Sequence, residues 1–106
     1  MTQELQQQLH ERVIKSFMDL IILKELQVRK TIDGYAVLKM IQAKHHFMLS
    51  SGTVYTHLYQ MERKGLIGGE WLERKRIYRS TYQGTQLAKA AEQDEMIRHL
   101  LDIIAA

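Results

Sequence analysis

The chain has 106 residues, 45% hydrophobic and 25% charged, which is the balance of one soluble globular domain and too short for two ordinary ones. It contains no cysteine, which excludes a disulfide framework, a thiolate zinc site and a cysteine nucleophile. The net charge of +3 is unevenly spread: between residues 44 and 79 seven lysines and arginines face three glutamates, and beyond residue 84 two cations face four acids. A basic middle suits an anionic partner, although a solvated charged face would look the same. The aliphatic run Leu20 to Leu23 is far below the roughly 20 residues of a membrane span. The polar start MTQELQQQLHER has no apolar signal core, so a cytoplasmic protein without membrane contact is expected.

Residues 3–27 read as one helix. Leu5, Leu9, Val13 and Phe17 fall four apart, Ile14, Met18 and Ile21 form a second row, and Leu20, Leu23 and Leu26 widen the stripe. The first half is that of a helix packing on one partner, and the second half that of a core helix. Thr31 or Asp33 can cap a second helix over about 33–45, which would bury Tyr35, Val37, Leu38 and Ile41. A short turn with Phe47 and Leu49 leads to a third helix over 51–64, with Ser50 or Ser51 as N-cap and Gly65 at its C-terminal end. Its inward row is Val54, Leu58 and Met61, while Thr53, Thr56, His57, Gln60 and Arg63 point elsewhere. From Leu66 the period changes to two, giving a β-hairpin around Glu73-Arg74-Lys75, with Trp71 expected in the core behind it. A last helix over 83–104 carries Leu87, Ala90, Asp94, Ile97, Leu101 and Ile104 at alternating three- and four-residue spacing, a two-helix seam with one polar break at Asp94.

Helix, helix, turn, helix and basic hairpin is the order of a winged helix-turn-helix. The fold class expected is therefore mainly α with a small β-hairpin, with N- and C-terminal dimerisation helices. A helix with an apolar inner row and a polar outer row can enter the major groove of DNA while anchored to the domain. A basic hairpin tip can rest on the neighbouring phosphate backbone.

Several motifs then resemble one family, the PadR-type transcriptional regulators. Phe17-Met18-Asp19-Leu20-Ile21-Ile22-Leu23-Lys24-Glu25-Leu26 is similar to its first helix. Asp33-Gly34-Tyr35-Ala36-Val37 resembles its His-Gly-Tyr-Glu-Ile motif, with aspartate in place of histidine. Ser50 to Leu58 resembles its recognition-helix signature, with Ser51 and Thr56 where the family carries proline. Glu62-Arg63-Lys64-Gly65-Leu66-Ile67, Glu70-Trp71, Arg76-Ile77-Tyr78-Arg79 and Thr81-Tyr82-Gln83-Gly84 follow in the family's order, although the hairpin is short and lacks the usual glycines. The resemblance covers about residues 17–104. It implies a homodimeric repressor of transcription on a pseudo-palindromic operator, with residues 1–82 as the DNA-binding domain and 83–106 as a dimerisation helix.

The DNA-contacting residues expected on these grounds are Tyr35, Ser50, Ser51, Thr53, Tyr55, Thr56, His57, Gln60, Arg63, Lys64, Arg74, Lys75 and Arg76, with Lys75 and Arg76 the foremost phosphate contacts. Those expected at the dimer interface are Leu5, Leu9, Val13, Leu87, Ala90, Ile97, Leu101 and Ile104. Related dimers can bind flat aromatic compounds between terminal helices. The last helix here offers leucine, isoleucine, methionine and alanine but no aromatic residue, so a small hydrophobic effector is a secondary expectation. Among the five histidines no pair lies three or four apart on one helix, so no metal or other cofactor is expected. No nucleophile, base and orienter group by motif and no Gly-rich phosphate loop appears, so the chain does not read as an enzyme. The competing reading is a protein-interaction module with a winged-helix shape that does not bind DNA.

Overall fold

The computed structural model describes residues 2–46 and 49–105; Phe47, expected in the turn before the third helix, lies outside them. Six helices and one hairpin follow in the order α1 (Gln3–Ser16), α2 (Met18–Arg29), α3 (Gly34–His45), α4 (Ser51–Arg63), β1 (Ile67–Leu72), β2 (Lys75–Ser80), α5 (Tyr82–Gln93) and α6 (Glu95–Ala105). The fold is mainly helical with a winged hairpin, as the sequence pattern implies.

The centre is α2, whose Met18, Ile21, Ile22, Leu23 and Leu26 are all buried, as expected of a helix apolar over most of its circumference. Val37 and Ile41 of α3, Val54, Leu58 and Met61 of α4, Ile67 and Tyr78 of the hairpin, and Ala91 and Leu101 of the last two helices close around it. Four polar side chains start the helices of this core. Asp33 Oδ1 accepts from the Ala36 amide at 2.8 Å, Ser50 Oγ from Thr53 at 3.1 Å, Thr81 Oγ1 from Gly84 at 3.0 Å and Asp94 Oδ1 from Ile97 at 3.0 Å. At the end of α4, Gly65 adopts φ +77° and the Leu66 amide donates back to the Met61 carbonyl, a left-handed cap open to glycine.

Two long helices of the sequence reading are each broken once. The helix expected over 3–27 is interrupted at Phe17, where φ −113° and ψ 14° leave the helical region. The Ser16 hydroxyl donates to the Arg12 carbonyl at 2.9 Å, a back-bond of the kind that bends helices. The two halves also bury different faces: α1 puts only Ile14 into the core. The helix expected over 83–104 is interrupted at Asp94, whose extended backbone (ψ 119°) ends α5 while its carboxylate caps α6. The seam read across that break does not run on one helix. Leu101 is buried within the chain, Leu87, Ile97 and Ile104 pack partly against the same core, and Ala90 alone of the five stays exposed. The chain turns at Asp94 and lays α6 near α2, with Lys24 Nζ 3.7 Å from Asp102 Oδ1.

The hairpin is antiparallel, pairing Ile67 with Ser80 through to Leu72 with Lys75. Its turn is Glu73-Arg74, with Glu73 at φ +59°. Ile32, in the link between α2 and α3, adds an isolated bridge to Tyr78, with both backbone bonds formed at 3.1 and 2.9 Å. Trp71 does not lie in the core: it is 68% exposed, one residue before the end of β1 and beside the hairpin turn.

His45, at the end of α3, is half-buried, and burial holds its imidazole below the ordinary value of 6.5, with Lys44, His10 and His46 pushing the same way. The unfolded chain therefore binds the proton more readily. The stabilisation is complete above about pH 6.5 and is lost as pH falls from there through the lower folded-state value. The melting temperature should fall between pH 7.5 and 5, and His45→Gln should make that fall shallower.

Candidate nucleic-acid interface

The second and third helices of the motif meet at a point where no side chain fits between them. Gly34 opens α3 beneath the ring of Tyr55, and a Cβ there would lie 2.6 Å from that ring. Tyr55 thus covers the start of α3 and still leaves half its surface open. Asp33, the cap of α3, is also approached by Lys75 Nζ at 3.9 Å, which draws the hairpin tip to the same end of the helix. Tyr35, Tyr55 and Lys75 consequently gather around the N-terminus of α3, and Tyr35 has Lys39 Nζ 5.4 Å from its ring centre.

Along α4 the outward row is Tyr55, Thr56, Tyr59, Gln60, Arg63 and Lys64, all exposed. Thr56, Tyr59, Gln60, Arg63 and Lys64 line one shallow groove, and the Arg63 guanidinium stands 5.7 Å from the Tyr59 ring centre. Tyr59 was missed in the sequence reading, although it stands four residues from both Tyr55 and Arg63. At the start of the helix Ser50 caps it and also shares a hydrogen bond of 2.8 Å with the Thr53 hydroxyl, so both side chains are turned to the cap while Ser51 stays exposed.

Two expected contact residues are placed differently. His57 does not sit on the outer row: it is half-buried, with Nδ1 2.9 Å from the Thr53 carbonyl and Nε2 3.2 Å from the carbonyl of Lys15. Arg76 is not at the hairpin tip. Strand alternation puts it beside Tyr78 on the face toward α4, where Nη2 donates to Glu62 Oε2 at 2.6 Å, with the rings of Trp71 and Tyr78 5.6 and 5.8 Å away. Its side chain is less than one-third exposed. Arg76 therefore neutralises the one carboxylate on α4 rather than offering a free charge, which leaves the outer row purely neutral or cationic. Arg74 and Lys75 are exposed at and beside the turn, and Arg79 pairs with Glu70 at 3.3 Å. Arg76→Ala should lower folding stability by roughly 2 kcal/mol through the unpaired Glu62. It should leave the salt dependence of any DNA binding unchanged, a difference that thermal melts and salt titrations separate.

The apolar stripe Leu5, Leu9 and Val13 of α1 is about half exposed, and Met96 and Ile103 of α6 are more so. Among the described residues no group of three or more histidine, aspartate or glutamate side chains could hold a metal ion, and no helix is long and apolar enough to cross a membrane.

The model of the transcriptional regulator PadR-like family matches residues 22–90. No curated protein matches the chain. Among solved structures, a transcriptional regulator from Clostridium thermocellum is similar at 26% identity with a TM-score of 0.68, over 90% of this chain and 96% of that one. A PadR family transcription regulator from Clostridium difficile is similar at 23% identity and a TM-score of 0.68, over 85% and 99% of the two chains. A PadR-like regulator from Bacillus cereus shares the fold at 14% identity and a TM-score of 0.65, over 89% of each chain.

Proposed function

The chain belongs to the PadR-like family of transcriptional regulators, DNA-binding proteins and not enzymes, and from that premise we propose that it is a homodimeric repressor reading a pseudo-palindromic operator in the cytoplasm. The observation that carries this reading is the outer row of α4. It offers hydroxyls, an amide and two cations in one exposed strip, and its one acid is already neutralised by Arg76. Helix α4 enters the major groove, where Thr56, Tyr59 and Gln60 meet base edges and Arg63 and Lys64 meet phosphates. Tyr35, Tyr55, Ser50, Ser51 and Thr53 sit at the entering end of the motif, and Arg74 and Lys75 reach the flanking backbone. His57 and Arg76 support the reading helix from behind.

Dimerisation in this reading uses the α1 stripe Leu5, Leu9 and Val13, supplemented by Met96, Ile103 and Ala90 of the last helices. Leaving such a stripe in water costs about 25 cal/mol per Å² of apolar surface. A small hydrophobic effector would enter the cleft of about 380 Å³ between α2, α5 and α6, floored by Leu20, Val28, Ala88, Ala91 and Leu101. The test is selection of duplexes from a random library by the purified protein, read by sequencing at moderate salt. An enriched inverted repeat with half-sites about one helical turn apart is the expected result. Weak, salt-sensitive retention without enrichment would overturn it in favour of a protein-interaction module.

A further inference from the structure

The reading helix is tied to α1 by one side chain that serves no base or phosphate. His57 reaches across 42 residues of sequence to the Lys15 carbonyl, while its other nitrogen lies against the Thr53 carbonyl of its own helix. The Lys15 carbonyl belongs to the last turn of α1, which stops at Ser16, and the Phe17 amide is also directed toward it. Helix α1 otherwise inserts only Ile14 into the core, and this bond is a second tie between it and the rest of the domain.

Both partners of the ring are carbonyl oxygens, which accept and cannot donate. The ring N–H donates to one of them. The charged groups sharing this small cleft are Lys15 of α1, Asp19 of α2 and Lys64 at the end of α4. Lys15 is itself paired with Glu11 at 3.0 Å.

We propose that His57 is a positioning residue that couples the packing of α1 to the seating of α4, so that assembly through α1 and affinity for DNA are linked. The proposal rests on the reading of α4 as the DNA helix and α1 as a dimer helix. A dimer contact that shifts α1 shifts the Lys15 carbonyl, and the ring passes that displacement to the turn of α4 carrying Thr53, Thr56 and Gln60.

The experiment compares the unsubstituted chain with His57→Gln, which keeps one donor, and His57→Phe, which keeps the ring shape and no donor. Affinity for the selected duplex is measured at fixed pH and ionic strength, alongside hydrogen exchange of the α1 amides. The expected result is that His57→Phe binds about five- to tenfold more weakly than the unsubstituted protein, the size of ordinary allosteric coupling. Its α1 amides should be less protected, and His57→Gln should recover part of both. Equal affinities for all three proteins would overturn the proposal. If no duplex is bound by any of them, the DNA reading itself fails, and α1 protection that is the same in all three proteins would still overturn the coupling. A variant that does not fold is replaced by the other, whose affinity and α1 protection decide in the same way.

Discussion

Gly84→Ala should destabilise the protein by about 3 kcal/mol or more, the upper range for overpacking a site that cannot give way. A methyl group there would lie 2.0 Å from the backbone carbonyl of Leu66, with Ser80 Oγ at 2.9 Å and Leu23 Cδ2 at 3.0 Å. The carbonyl cannot retreat. It already accepts from the Thr81 amide at 3.1 Å, and Leu66 follows the left-handed Gly65 with its own amide bound to Met61. Thr81 completes the lock, since its hydroxyl donates to the Gly65 carbonyl and accepts from the Gly84 amide. At this chain length the loss corresponds to a fall in melting temperature of about 12 °C or more. Gly68→Ala is the control: a Cβ there meets nothing within 4 Å, and the change should stay within about 0.5 kcal/mol. Equal midpoints for the two variants in denaturant would show that the start of α5 does not need that close approach.

The second large effect is on binding. Arg63→Ala combined with Lys64→Ala should weaken association with every duplex, specific or not, by about 10- to 100-fold at physiological salt. Each lost phosphate contact should reduce the slope of log affinity against log salt by about 0.9, so the pair should reduce it by nearly two. Both side chains are exposed, and among the described residues neither pairs with an acid, so the melting temperature should hardly change. Binding that weakens for one sequence only would mean that these residues read bases. An unchanged slope would remove them from the interface.

The helix-turn-helix and its wing were legible because each carries its own period. Val54, Leu58 and Met61 mark one face of a helix, and the glycine at 65 marks its end. The wing showed itself as a change from helical spacing to alternation. What was not legible depended on contacts between distant segments. His57 lies three residues from Val54 and four from Met61, on the flank of the buried row, and only the carbonyl at the end of α1 decides which way it faces. Arg76 could have been assigned by alternation, since Tyr78 two residues on is apolar and inward. A run of three cations read as a tip concealed that phase. Asp94 looked like a polar insertion in a continuous seam because a single extended residue leaves the three-four spacing nearly intact. Its position three residues before Ile97 is that of a capping side chain, and the break follows from that. Trp71 was expected in the core behind the hairpin, but it stands beside the turn, near the open end of β1, where its ring is exposed.

The bridge between Ile32 and Tyr78 joins parts of the chain separated by nearly half its length. Such a pairing closes a long loop, and its entropic cost is met only once the helices and the hairpin are both present to hold the ends. It therefore forms late. Weakening it should speed unfolding much more than it slows folding, so the wing's attachment governs how long a folded molecule lasts, whereas the helices govern how quickly it is made.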